Sequence, residues 1–277
     1  MTEFRAPTPS GDLVGTVQGT GPEILLLHGG PGLSDYLGPL AAELRDGYTV
    51  ACYTQRGVQP STEDGDITVS GHVADVLAVV DHLGWQRPLL GGHSWGGNRA
   101  LHVVSEDPKR WRAALVVDPL GAVGDGGMAQ FGAELNNRVP MSHRPRVDEL
   151  NAMEEANGSL PPDLNLEQLK LVWPAYFPEP RTAPPMPEVR IASNQPQMWA
   201  SMMAALPRLE VRLSGCSVPT LFVHGQRSPM PVTASTQAAD LMVHATVDVI
   251  QSAGHFLWLD APGAVRRSLD RFVSDIG

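Results

Sequence analysis

Gly91-Gly92-His93-Ser94-Trp95-Gly96-Gly97 is the stretch on which the reading of this chain turns. An apolar run, Pro88-Leu89-Leu90, leads into it, and Asn98-Arg99-Ala100-Leu101-His102-Val103-Val104 leads out with helix-compatible composition. The order is strand, sharp turn, helix, with Gly92-x-Ser94-x-Gly96 at the turn. So tight a turn crowds any Cβ beside its apex, which is why glycines flank the serine. The apex residue is strained and held clear of the sheet, so a serine there presents its hydroxyl outward. The helix that follows points free N–H groups and a partial positive charge at the same place. The motif alone is common, so the rest of the chain has to support it.

Working outward, Leu13-Val14-Gly15-Thr16-Val17 reads as a short strand, and Glu23-Ile24-Leu25-Leu26-Leu27 as one buried on both faces of a mostly parallel sheet. The latter ends in His28-Gly29-Gly30-Pro31-Gly32, a loop by its glycine content. A short helix over 37–44 and a strand over 48–53 follow. Val69, Val73, Val76, Leu77, Val80 and Leu83 recur at helical spacing, with Gly84 to stop the helix. Beyond the serine turn comes another strand, residues 113–118. Strand and amphipathic helix alternate, which predicts βαβ units and a parallel sheet.

From about Gly121 to Gly215 the pattern changes. Prolines cluster, including Pro161-Pro162 and Pro184-Pro185, and only short helical segments are visible, over 146–156, 164–172 and 196–206. This stretch reads as an inserted helical cap. The alternation resumes with a strand over 218–223, a helix over 232–243 and a strand over 245–250. Val265, Leu269, Phe272, Val273 and Ile276 mark a last amphipathic helix. The expected fold class is therefore α/β, a mostly parallel sheet flanked by helices. Its core falls in two parts, residues 1–120 and 216–277, around a cap at 121–215.

A net charge of −10 over 277 residues argues against nucleic acid or an anionic membrane as partner, because no basic face dominates. No run approaches the ~20 apolar residues that span a bilayer. Met1 to Pro7 lacks the basic start and apolar core of a secretory signal, so a cytoplasmic location is expected. Cys52 and Cys216 are expected as two free buried thiols. Metal-ligand spacing, a phosphate loop and a dinucleotide fingerprint are all missing, so no cofactor and no metal is expected. The partner left is a small-molecule or short peptide substrate. Nothing in the sequence fixes the oligomeric state.

In open parallel sheets the ligand crevice lies at the carboxyl ends of the strands. Three special segments fall there: the 28–32 loop, the Ser94 turn, and Gly254-His255 after the last strand. A serine hydroxyl needs a base to take its proton, and histidine is the usual one. His255, on its loop, can swing onto Ser94. A tetrahedral oxyanion needs preorganised donors, and the Trp95 N–H with one from Gly29 or Gly30 supplies two.

These motifs, in this order, resemble the α/β-hydrolase fold family. His28-Gly29-Gly30-Pro31-Gly32 and Gly92-His93-Ser94-Trp95-Gly96-Gly97, with Gln55-Arg56-Gly57 and Ser61, resemble its proline iminopeptidase branch. The resemblance covers the chain outside the cap. It implies that Ser94 attacks an acyl carbon, that His255 is the base, and that the 28–32 loop contributes to the oxyanion hole. It also implies cap carboxylates that read a substrate's amino terminus. Glu134, Glu149, Glu154, Glu155 and Glu167 are available, no motif assigns any of them, and each is expected on a solvated helix face.

Two departures stand out. The branch's loop acid is Thr54 here, and its second loop glycine is Gln59. Relatives carry their triad acid after the strand ending Val223-His224-Gly225, where this chain has Ser228. Asp118, at the end of the strand after the nucleophile helix, is the replacement that some members of the fold use. The alternatives are a Ser94–His255 dyad helped by Ser228 or water, an acid from elsewhere, and Asp118 as a mere turn residue before Pro119. His28 is expected to brace its loop and His93 to pack. Of Trp173, Tyr176, Phe177, Met198, Trp199, Met202 and Met203, most are expected to form the cap's own core, with one or two roofing the pocket.

The expected function is a serine hydrolase that cleaves a small ester or amide, proline iminopeptidase-like. A carboxylesterase or lactonase of the same fold competes with it. A weakly catalytic small-molecule binder, a lyase and a cofactor-free oxygenase on this fold are the remaining readings.

Overall fold

A computed structural model describes all 277 residues. Eight strands form one sheet: β1 (Thr2–Thr8), β2 (Gly11–Gln18), β3 (Glu23–Leu27), β4 (Thr49–Tyr53), β5 (Leu89–His93), β6 (Ala113–Val117), β7 (Thr220–Gly225) and β8 (Ala245–Ile250). Their spatial order is β1-β2-β4-β3-β5-β6-β7-β8. The β1–β2 and β2–β4 pairs are antiparallel and all the others parallel. The expected α/β-hydrolase architecture is present, and β1 adds a hairpin at one edge that the sequence reading left out. Its signal was period two, since Phe4 and Ala6 are buried and alternate with exposed Glu3, Arg5 and Pro7.

The central strands are buried on both faces, which is why they read as continuous apolar runs. Alternate residues split between two cores. Leu25 and Leu27 join the cluster under α2 (Val69–His82) and α3 (Trp95–Glu106), while Ile24 and Leu26 join the one under α1 (Gly38–Leu44) and α10 (Ala264–Asp275). Strand order reverses between β3 and β5: β4 lies on one side of β3 and β5 on the other. Such a reversal opens a crevice at the strands' carboxyl ends. The 28–32 loop leaves β3 there and Ser94 leaves β5 beside it.

Between β6 and β7 the chain builds a helical insertion: α4 (Met128–Arg138), α5 (Arg144–Asn157), α6 (Pro162–Val172) and α7 (Gln195–Leu213). Sequence reading found three of these and missed α4, although Met128, Phe131 and Leu135 have helical spacing. The far end of α7 lies on the sheet's own layer, with Leu209 and Leu213 in the core that holds α3. After β7 come α8 (Thr233–Leu241), β8 and the short α9 (Leu257–Asp260). No helix is long and apolar enough to cross a membrane. Cys52 and Cys216 are free and buried.

Candidate active site

The turn after β5 is as tight as its glycines require. A Cβ on Gly92 would lie 2.1 Å from the Gly96 carbonyl oxygen, and one on Gly96 only 2.0 Å from that of Leu27. Ser94 itself takes φ 55° and ψ −122°. It shares positive φ with one other non-glycine residue, Asp118, at φ 41°. Both ends of adjacent strands β5 and β6 are thus strained at the same rim, and such strain gathers where a surrounding structure holds a side chain for use. Ser94 caps α3 without a side-chain hydrogen bond to it, and its side chain joins a cavity wall.

His255 lines the same cavity, and its Nδ1 lies 2.6 Å from Asp118 Oδ1. A carboxylate at that distance holds the proton on Nδ1 and leaves Nε2 as the nitrogen open to Ser94. No hydrogen bond joins the serine hydroxyl to the imidazole in this structure, and such contacts commonly tighten only with substrate bound. The imidazole is held from above by the insertion. Its backbone N–H donates to the Tyr176 carbonyl at 3.1 Å, and the rings of Tyr176 and Phe131 lie 5.4 and 5.8 Å from its own.

Asp118 is fully buried and its carboxylate is saturated with donors. Oδ1 also accepts from the Ser228 hydroxyl at 2.7 Å, and Oδ2 from the Gly225 amide at 2.9 Å. Burial alone would raise its pKa, but nearby His224, the His255 hydrogen bond and the Gly225 amide together hold it below the usual range. Ser228, which stands where the sequence resemblance implies an acid, turns its hydroxyl to the carboxylate and not to the ring. It also accepts from the Met230 amide at 3.1 Å. Of the readings left open by the sequence, the geometry brings Asp118 to His255 and keeps Ser228 one bond further out.

The glycine loop is braced from several sides. His28 Nδ1 donates to the Gly29 carbonyl at 3.0 Å while its Nε2 accepts from the Gln55 amide at 3.0 Å, and burial lowers its pKa to about 3, so it stays neutral. Gln55 ties the loop to the nucleophile turn. Its Nε2 donates to the Gly30 and Leu33 carbonyls, and its Oε1 accepts from the Trp95 indole. The neighbouring Arg56 is buried in a bidentate pair with Asp75. The Gly29 amide is already engaged, donating to the Tyr36 hydroxyl at 2.9 Å. Of the three candidate amides that leaves Gly30 and Trp95 without a partner, so Gly29 does not fit the donor role open to it in the sequence.

Tyr36 and His93 were not legible as site residues. The Tyr36 hydroxyl donates to His93 Nδ1 at 2.7 Å, and His93 Nε2 donates to the His255 carbonyl at 2.9 Å. One chain of hydrogen bonds thus runs from the glycine loop through the nucleophile turn to the His255 loop. Burial, with the His255 charge behind it, holds the His93 pKa well below its ordinary value, which keeps it neutral and the chain intact. His93 is a connector and not the packing residue expected. Its sequence signal was only its place beside Ser94.

Above these residues lies a cavity lined by 23 residues, of which 16 are hydrophobic. Trp173, Tyr176, Trp199 and Met202 all face it, so more of the insertion's large side chains roof the cavity than the one or two expected. They come from residues 173–176 and from α7, while α4 and α6, which bury no residue, add Met128, Phe131 and Leu169 to the same wall. None of the five glutamates lines it. Glu134 pairs with Arg138, and Glu149 and Glu167 with Arg146, on the outer surface.

A serine on a strained strand-to-helix turn, a carboxylate-bound histidine and a glycine loop at a sheet's reversal point describe one architecture. The alpha/beta hydrolase family model matches residues 24–268. The chain belongs to the alpha/beta hydrolase family. Among its relatives is 3-oxoadipate enol-lactonase 2 of Acinetobacter baylyi, 24% identical over 233 residues, 83% of this chain and 80% of that protein. A Bacillus subtilis protein named "Probable aminopeptidase YbaC" is 33% identical over 97 residues, 31% of this chain and 30% of its own. An alpha/beta fold family hydrolase from Bacillus anthracis superposes with a TM-score of 0.69 at 15% identity, covering 100% of this chain and 99% of that one. This hydrolase is thus joined to the family by its fold and motifs, and the proline iminopeptidase branch is not singled out among its relatives.

Proposed function

We propose that this protein is a serine esterase acting on uncharged, largely apolar esters. The observation that carries the reading is the cavity wall: among its 23 residues there is no Asp, Glu, Lys or Arg. An aminopeptidase has to hold a substrate ammonium. Taking that charge out of water without a carboxylate partner costs several kcal/mol. An apolar ester meets no such penalty. An uncharged lactone is the same chemistry with its leaving oxygen tethered, and it fits the same wall.

In this reading the Ser94 hydroxyl attacks the ester carbonyl while His255 Nε2 takes its proton. Asp118 holds the imidazole by Nδ1 and offsets the imidazolium charge. The Gly30 and Trp95 amides receive the oxyanion. The imidazolium returns the proton to the departing alcohol, which leaves an acyl group on Ser94. Water, deprotonated by the same nitrogen, then releases the acid and restores the serine.

The test is a parallel assay of p-nitrophenyl butyrate and proline β-naphthylamide. The expected result is a kcat/KM for the ester about 100-fold or more above that for the arylamide, lost in Ser94→Ala. Cleavage of the arylamide as fast as the ester would overturn the esterase reading in favour of the peptidase one.

A further inference from the structure

Two hollows adjoin the Ser94 cavity, and they differ in the charge of their walls. One lies beyond the strap at 186–190. Only 3 of its 12 lining residues are hydrophobic, and Asp35, Lys170, Glu188 and Arg190 face it. The other lies among α4, α5 and α6; 9 of its 16 residues are hydrophobic and Glu154 is the one charged residue that lines it.

The second hollow is separated from the cavity by very little. Met128, Phe131, Asn165, Leu169, Tyr176 and Gln195 each face both spaces. A residue that faces two spaces is the whole thickness of the wall between them, so this wall is one side chain deep. Neither α4 nor α6 contains a buried residue, and behind the wall α6 is held to α5 by polar side chains, Arg146 on Glu167 and Gln168 on Asn151. Across it, the Asn165 amide donates to the Gln195 side-chain oxygen and ties α6 to α7.

The two arms of an ester place different demands on such a site. The alcohol departs when the acyl-enzyme forms. The acyl arm stays tethered to the serine until water arrives, so its surroundings have to tolerate an apolar chain for the longer time. An outlet walled by four charged side chains suits the departing alcohol, and one with a single charge and nine hydrophobic residues suits the chain.

We infer that the wall between α4 and α6 is the passage for the substrate's acyl chain. From Ser94 the chain runs past Phe131 and Leu169, and chains longer than the cavity continue into the hollow bounded by Leu135, Val139 and Val172. The substrate class is then an ester of a medium or long unbranched acid. The inference rests on the esterase reading, and it goes beyond it by assigning the acyl side and its direction.

Gly132 gives a clean probe. It faces the hollow and not the Ser94 cavity, and a Cβ built there meets nothing within 4 Å. With p-nitrophenyl esters from acetate to dodecanoate, kcat/KM is expected to rise through octanoate. In Gly132→Trp the ratio of decanoate to acetate kcat/KM is expected to fall about tenfold or more, with Gly132→Leu between it and the parent. An unchanged ratio in both variants overturns the passage. Calorimetric binding of free decanoate carries the same test without turnover: Gly132→Trp is expected to weaken it about fivefold or more, and equal affinity overturns the passage. A chain that binds decanoate in this way but cleaves no ester would sink the esterase reading alone.

Discussion

The floor of the cavity and its roof are built on opposite principles. On the floor, the strained backbones of Ser94 and Asp118 are fixed, and the side chains that bridge the Ser94, His255 and glycine loops are paired. Asp118 accepts from three donors, His93 uses both ring nitrogens, and His28 does the same. The roof is mostly apolar and thin, with Met128 and Phe131 of α4, Leu169 of α6, and Trp199 and Met202 of α7 facing inward. Acyl transfer needs atoms placed to within a fraction of an ångström, and strand ends tied to one another by hydrogen bonds supply that. Recognition of an apolar chain needs shape and dryness, which adaptable side chains give.

The comparison can be broken from the floor side at Tyr36. Tyr36→Phe leaves the Gly29 amide and His93 Nδ1 buried without partners, a loss of roughly 1–3 kcal/mol for each unsatisfied group. Because those groups join the glycine loop to the Ser94 and His255 loops, kcat is expected to fall about tenfold with KM moving less. Steady-state kinetics with p-nitrophenyl butyrate reads this, and unchanged kcat would mean that the three loops hold their places independently.

A smaller effect sharpens the boundary between the two regions. Burial pushes the Asp35 carboxyl up to about 6, with the Leu37 and Tyr36 amides opposing. The folded state therefore binds this proton more tightly than the unfolded one. Its contribution to stability is full below about pH 4 and is lost as pH rises through 6. Asp35→Asn removes that step, and its carboxamide oxygen can still accept from the Leu37 amide as Oδ1 does at 2.9 Å. The variant is expected to be more stable than the parent above pH 6 by about 1 kcal/mol, discounted because the residue is only half-buried, and equal to it near pH 4. Thermal melts across that range check it, and a difference independent of pH would contradict it.

The floor was far more legible in the sequence than the roof. Continuous apolar runs at Glu23–Leu27 and Ala113–Val117 and the glycines around Ser94 are local signals of strands buried on two faces and of one sharp turn. The 28–32 loop and His255 could be placed because sheet topology sends strand ends to one edge. Asp118 could be named only as a candidate, since its partner lies 137 residues away and Ser228 stands where an acid was expected. Tyr36 and His93 gained their meaning from bonds to distant backbone atoms, which no spacing reveals. The roof was harder still. Apolar residues on a helix read as core, and nothing local says that the space they face is a cavity. That is why α4 passed unseen and why too few large side chains were assigned to the pocket.

The account stands most directly on Asp118, the one acid the fold brings to the imidazole. Turnover of p-nitrophenyl butyrate by Asp118→Asn, with folding checked by circular dichroism, measures it. A drop of about 10³- to 10⁴-fold in kcat, with little change in KM, is the predicted result, because the carboxamide neither fixes the Nδ1 proton nor offsets the imidazolium. Near-normal turnover in a folded variant would contradict the account and return the site to a serine and a histidine working without an acid.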